Sequence, residues 1–185
     1  MKRVLDPISS QLAADVLGAM LEAYDDPEWA ALAPCAAGLV SGASLVADHC
    51  CASNGGGHGK GHGQGDPCEG QLTVRVANSF PTKVFPEPWT GAMPACGTPW
   101  AVELGIAVMR CALSMDDSVH PPRPPSMEQE MQVAERALGD VGLIRQAMVD
   151  FARERDQALA LGQFVPLGPD GGCVGGAVSC TFLVE

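Results

Sequence analysis

Residues 126–155 carry the pattern that most constrains the fold, because they read as one long amphipathic helix. Ser126 and Gln129 form a capping box, in which two side chains satisfy backbone amides at a helix start. Glycines at 139 and 142 are expected to weaken the helix. Apolar residues recur at alternating steps of three and four over about seven turns, which predicts one continuous stripe lying on an apolar partner: Met127, Met131, Ala134, Leu138, Val141, Ile144, Met148 and Phe151.

Segments in which apolar and polar residues alternate are predicted to supply that partner. The period of two is typical of strands with one covered face, and the first two segments are expected to be antiparallel neighbours. Residues 36–47 are weakly apolar and could hold one further strand. The residues expected on the covered face are Leu72, Val74 and Val76, then Val102, Leu104, Ile106 and Val108, then Val178, Cys180, Phe182 and Val184.

A first helix is predicted to begin at Asp6 and Pro7, a capping residue followed by proline at the first helical position. The order of elements is then helix, possible strand, loop, strand, strand, helix, strand. This order predicts an α+β fold, with an antiparallel or mixed sheet of about four strands and the long helix packed across it. We expect one domain over residues 1–185. The apolar face expected for the first helix is Leu12, Val16, Leu17, Met20, Leu21 and Tyr24.

The stretch HCCASNGGGHGKGHGQGDPCEG, residues 49–70, holds most of the histidines and raises the question of a metal site. Zinc takes four Cys or His ligands, often as closely spaced pairs. The two cysteines at 50 and 51 are adjacent, however, and the histidines at 58 and 62 are separated by GKG. The composition favours a Gly/His-rich surface loop inserted at about 52–69, and no metal is expected. The candidate ligands, should a metal bind, are His49, Cys50, Cys51, His58, His62 and Cys68.

Catalytic signatures are not evident, and we expect a protein that is not an enzyme and has no cofactor. GPDGGCVGG lacks the spacing and the lysine of a phosphate-binding loop and reads as a turn into the last strand. A Cys173 nucleophile has no base beside it in the sequence, and His120 lies in a Pro-rich linker. The net charge of −11 argues against binding to nucleic acid or to an anionic membrane.

The compartment expected from the sequence is the cytosol, with mostly reduced thiols. The N-terminus is not typical of a signal peptide, because Asp6 and Pro7 stand where an apolar core belongs. No run of about 18 apolar residues that could span a membrane is present. The eight cysteines are therefore read as mostly buried, reduced side chains.

Three segments together resemble a family of small virion proteins from the head–tail joining region of long-tailed phages of actinobacteria. They are CEGQLTVRV followed by FP, then CGTPWAVELGIAVMRCA, then FVPLGPDGGCVGGAVSCTFLV after a long helix. The order of elements also resembles the tail terminator fold. The resemblance covers roughly residues 68–113 and 162–185. In that family, residue 51 would run almost directly into residue 70, which makes 52–69 a lineage-specific loop.

The resemblance implies a homo-oligomeric ring, six-fold in symmetry, on the end of the tail tube. Its expected partners are further copies of the chain, the tail tube protein and the head-to-tail connector or stopper. DNA would pass through the lumen without specific binding, and the ring would assemble in the host cytoplasm and reside in the virion. Two alternatives stay open. One is a stopper or adaptor ring in the same neck, and the other is a cytosolic Cys/His metal-binding module.

Overall fold

Two helices and a five-stranded mixed sheet make up the fold, as the α+β prediction requires. The computed structural model describes residues 7–40, 70–92, 96–113, 120–170 and 172–184. A single turn of 3-10 helix at Ala30–Leu32 follows the first helix. The elements in chain order are α1 (Pro7–Tyr24), β1 (Ala36–Leu39), β2 (Gln71–Pro81), β3 (Trp100–Cys111), α2 (Met127–Glu154), β4 (Leu159–Asp170) and β5 (Cys173–Val184).

The sheet has the strand order β1-β2-β3-β5-β4. β1 pairs with β2 in parallel, and the other three pairings are antiparallel, including the predicted pairing of β2 with β3. The strand predicted within residues 36–47 is confirmed as β1. The long strands β3 and β5 pair over their whole lengths, from Trp100 opposite Val184 to Cys111 opposite Cys173. β3 is therefore the central strand, flanked by β2 and β5.

The strand β4 is absent from the sequence prediction, which read these residues as a connection to the last strand. Pro166 and Pro169 lie within it, and its pairing with β5 is irregular after Leu161 and after Leu167. Proline cannot donate a ladder hydrogen bond, so it is tolerated at a sheet edge or a bulge. β4 is such an edge strand. Asp170 pairs with Cys173, so residues 171 and 172 alone connect β4 to β5.

Both helices pack against one face of the sheet, and the predicted inner faces of the strands form the core. Leu72, Val74, Val102, Leu104, Ile106, Val178, Cys180 and Phe182 are all 1% exposed or less. Phe151 of α2 meets Phe182 of β5 edge to face, with ring centroids 5.6 Å apart. In α1 the predicted face is buried at Leu12, Val16, Met20 and Tyr24 and half-buried at Leu17, but Leu21 is 42% exposed. Leu21 lies at the margin of the apolar face and was wrongly assigned to the core.

Two glycines let β5 pack closely against its neighbours. A Cβ atom at Gly175 would collide with the Val108 carbonyl of β3, and one at Gly176 would collide with the Phe164 ring of β4. A side chain at either position would push the strands apart. The sequence predicts that these glycines are part of a turn into the last strand, but they lie within β5, where they permit close backbone approach.

The capping box of α2 is confirmed. The backbone N–H of Gln129 donates to the Ser126 Oγ, and the backbone N–H of Ser126 donates to the Gln129 Oε1. The prediction that the apolar stripe of α2 is buried along its whole length is wrong. Val141, Ile144, Met148 and Phe151 are buried, but the first half of the stripe faces solvent, with Met127 77%, Met131 56% and Leu138 70% exposed.

Helical geometry explains this difference. A seven-residue apolar repeat drifts by about 20° per repeat around a straight helix, because an α-helix has 3.6 residues per turn. The residues that begin the stripe therefore lie to one side of those that end it. Only the second half of the stripe reaches the core. The side of the first half that turns toward the sheet carries Val133 and Ala137, which are half-buried.

Replacing Ile144 with alanine tests this division of α2. Ile144 is 1% exposed, so Ile144→Ala should lower the free energy of unfolding by about 2–5 kcal/mol. The matched control is Leu138→Ala in the same helix, for which a change of about 0.5 kcal/mol or less is expected. Urea denaturation of both variants measures the difference. Equal losses in the free energy of unfolding would contradict the assignment of Ile144 to the core and of Leu138 to the surface.

Candidate functional site

One end of the sheet holds a cluster of buried charged and polar side chains. Arg110, near the end of β3, reaches Asp140 on α2 with two hydrogen bonds, Nε to Oδ2 at 2.7 Å and Nη2 to Oδ1 at 2.5 Å. The same Nη2 donates to the Leu32 carbonyl of the 3-10 turn at 2.8 Å. The Tyr24 hydroxyl at the end of α1 donates to Asp140 Oδ1 at 3.4 Å. This cluster joins four elements of the fold.

Both charges of the cluster are almost completely removed from solvent. The side chains of Arg110 and Asp140 are 9% and 7% exposed. Burial, followed by the charge of Asp140, raises the pKa of Tyr24 well above its ordinary value of 10.0. The phenol therefore keeps its proton and remains a donor to the carboxylate.

The chemistry available to this cluster is structural. Arginine stays protonated in proteins and cannot act as a general base. The Asp140 carboxylate accepts from the guanidinium at both of its oxygens and from the phenol at Oδ1. A paired, bidentate carboxylate of this kind fixes the positions of the elements that supply it.

A cavity of about 440 Å³ opens beside the cluster, beneath the first half of α2. Arg110 and Asp140 form its polar side. Its remaining lining is mostly apolar, from the end of β3, the start of β5 and the inner side of α2, and includes Leu113, Val133, Ala137, Leu167 and Val174. Glu130 is the further charged residue on its wall. The cavity exists because the first half of α2 is not packed directly onto the sheet.

The predicted metal-ligand candidates do not enter this site. His49, Cys50, Cys51, His58, His62 and Cys68 all lie outside the described residues, so the metal hypothesis stays a prediction. Across the ranges that the structure describes, no group of three or more His, Cys, Asp or Glu side chains is placed to hold a metal ion. His120 is exposed in the linker before α2.

The expectation of mostly reduced thiols is wrong for three cysteines. Cys35, Cys111 and Cys173 are disulfide-bonded. Cys35 precedes β1, Cys111 ends β3 and Cys173 begins β5, and the strand register places all three at the same end of the sheet. The sequence alone could not show that the fold brings together cysteines that are far apart along the chain. A bonded Cys173 also has no thiol to act as a nucleophile.

The two described free cysteines differ in environment. Cys96 is exposed, whereas Cys180 is buried in the core. Burial, with a smaller effect of the Glu103 charge, raises the pKa of Cys180 to about 12. Its thiol is therefore neutral near pH 8 and cannot act as a nucleophile there, because the thiolate is the reactive form.

No protein-family model matches the chain, and a search of curated proteins finds no match. None of the helices among the described residues is long and apolar enough to cross a membrane.

Removing the Asp140 carboxylate tests the role of the buried cluster. Asp140→Ala leaves Arg110 buried without its counter-charge, so the free energy of unfolding should fall by about 3–5 kcal/mol. The double variant Arg110→Met with Asp140→Leu should lose clearly less than the sum of the two single changes.

The control for this prediction is Asp150→Ala on the same helix. Asp150 pairs with Arg153 at 2.7 Å, but their side chains are 43% and 72% exposed, so the loss should be below about 1 kcal/mol. Denaturant titration of the wild type, Asp140→Ala, Asp150→Ala, Arg110→Met, Asp140→Leu and the double variant provides the values. Similar losses in the free energy of unfolding for Asp140→Ala and Asp150→Ala would show that the buried ion pair contributes no more to stability than the exposed one.

Thiol titration tests the environments of the two free cysteines. At pH 8, Cys96→Ser should remove one rapidly reacting thiol, whereas Cys180→Ser should leave the native reaction with a disulfide reagent unchanged. Because the folded pKa of Cys180 lies above its ordinary value of 9.0, folding should also lose stability between about pH 9 and 12. Cys180→Ser should reduce that loss. Rapid labelling of Cys180 in the folded protein would contradict the assignment.

Proposed function

We propose that the chain is a structural virion protein of the phage neck, a tail terminator that forms a ring on the end of the tail tube. The observation that supports this most directly is where the three resembling segments lie. They are separated in sequence, yet they contribute β2, β3, the second half of β4 and β5, which are consecutive strands of the sheet. The resemblance therefore falls on one continuous structural unit.

The arrangement of the helices supports the same proposal. A first helix, a sheet, a second helix across the sheet and a final strand are the elements expected of a tail terminator. The elements α1, β1–β3, α2 and β5 follow this order, with β4 as an additional edge strand between α2 and β5. The proposed role is to stop tail growth and to join the tail to the head connector. Its partners would be further copies of the chain, the tail tube protein and the connector.

The acidity of the chain fits a ring through which DNA must pass. With a net charge of −11, a wall formed by this protein would repel phosphate and let DNA slide. A basic wall would instead retain the DNA. This part of the proposal requires that acidic side chains face the channel, and a ring structure with Asp and Glu only on its outside would exclude it.

Deleting the gene from the phage that carries it tests the proposal. Electron microscopy of the lysate should show filled heads beside unattached tails that are longer than normal, because nothing stops tube growth. Tails of normal length beside leaking or empty heads would instead place the protein one ring nearer the capsid, as a stopper or adaptor. Normal virions would refute a role in the neck.

Complementation supplies the controls for that experiment. The intact gene should restore normal virions. A gene lacking codons 52–67 should do so too, because the sequence predicts a surface loop there and excision of such a loop would leave the core in place. Failure of the shortened gene, together with stoichiometric zinc in the purified intact protein, would favour the Cys/His metal-binding module.

A further inference from the structure

We infer that the solvent-facing side of α2 is a two-fold contact surface for a second copy of this chain, with the two helices antiparallel. This surface, called here the outer face of α2, consists of residues that lie within about 60° of one another around the helix at 3.6 residues per turn. Its members are Met127, Met131, Leu138, Gly142, Arg145 and Val149. The inference depends on this face alone and not on the proposed role in the phage neck.

The first half of the outer face is apolar and unpartnered. Met127, Met131 and Leu138 are 77%, 56% and 70% exposed, and they follow one another along the same side of the helix. Apolar residues arranged in this way at helical spacing are typical of a helix that packs on a partner. α1 and the sheet lie on the opposite sides of α2, so neither approaches this face.

The charges beside the outer face decide the orientation of the partner. Glu135 lies beside its first half and Arg145 lies on its second half, whereas Arg153 already pairs with Asp150. Neither Glu135 nor Arg145 forms an ion pair with another part of the chain that the structure describes. An identical helix laid parallel would set Glu135 beside Glu135 and Arg145 beside Arg145, whereas an antiparallel helix brings Glu135 of each copy to Arg145 of the other.

One register satisfies both the charges and the packing. When Glu135 of each copy lies opposite Arg145 of the other, Leu138 falls opposite Gly142. In the same register Met131 falls opposite Val149. Two symmetric ion pairs then flank a central apolar contact. A two-fold axis requires this reciprocity, in which each residue of a pair makes the same contact from both copies.

Gly142 has a role in this contact that it lacks within the single chain. A Cβ atom at Gly139 would lie 2.8 Å from Leu32 Cδ1, so Gly139 is required by packing inside the molecule. A Cβ atom at Gly142 would meet nothing within 4 Å, and the residue is exposed. Glycine lowers helix stability relative to alanine. In the antiparallel pair, its missing side chain makes room for Leu138 of the other copy.

The expected complex is a weak dimer. The outer face extends over about 33 Å of helix at 1.5 Å per residue, which places a helix-to-helix contact at the lower end of stable interface sizes. A dissociation constant on the order of 1–100 μM is therefore expected. A two-fold contact cannot close a six-fold ring by itself, so this surface would add to any contact that forms a ring.

Sedimentation of the full-length protein over a range of concentrations tests the inference. The wild type should pass from a 19.2 kDa monomer to a dimer as concentration rises. Leu138→Glu should raise the dissociation constant at least tenfold, and so should Glu135→Arg or Arg145→Glu alone. The double variant carrying both charge reversals should return to within a few-fold of the wild type, because the two pairs are restored with opposite polarity.

The control variant is Val84→Glu, which changes another exposed apolar side chain, 67% accessible, far from the outer face of α2. It should leave the dimer unchanged, and circular dichroism should show that every variant is folded. A protein that stays monomeric up to about 1 mM, far above the constant expected from the interface size, would overturn the inference. So would an oligomer that is insensitive to Leu138→Glu, or a double charge reversal that does not recover. The phage experiment above is separate, so either proposal can fail without the other.

Discussion

The buried ion pair between Arg110 and Asp140 is the interaction on which the relative placement of the elements depends. It links the central strand to the long helix, and through the Leu32 carbonyl and the Tyr24 hydroxyl it also holds the end of α1 and the turn that follows. Buried charges are tolerated only when they are paired and hydrogen-bonded, so a small shift of α2 along the sheet would leave two charges unsatisfied. The ion pair therefore favours the one placement of α2 in which both charges are satisfied, and this placement is also the one in which the core is packed.

Most of the architecture could be predicted from the sequence because alternation and helical spacing report directly on which side chains are buried. The inner faces of β2, β3 and β5 are confirmed, although Val76 and Val184 are only half-buried, and the capping box and the long helix are confirmed as well. β4 was missed for a physical reason, since Pro166, Pro169 and its irregular register are features of an edge strand that obscure the alternation. The first half of the α2 stripe was misjudged because sequence spacing shows that residues share a side of a helix but not whether anything lies beneath them.

The candidate site was less accessible to sequence reasoning. A lone arginine in the apolar segment around residue 110 and a lone aspartate within the apolar side of α2 were the available signals, but only the fold shows that they meet. The same limitation applies to Cys35, Cys111 and Cys173, which are distant in sequence and share one end of the sheet. By contrast, the charge distribution along α2 is visible in the sequence. This charge distribution can be related to a contact surface only when the structure shows which side of the helix remains exposed.

The position of β5 determines when the sheet can close during synthesis of the chain. β5 follows every other strand along the chain, yet it lies between β3 and β4 and covers the second edge of the central strand. Until residues 173–184 leave the ribosome, β3 presents an unpaired, apolar strand edge, which is a template for wrong pairing with another nascent chain. Such long-range pairing is intrinsically slow to form. Insertion of β5 therefore covers the second edge of the central strand and ends the period in which the newly made protein exposes it.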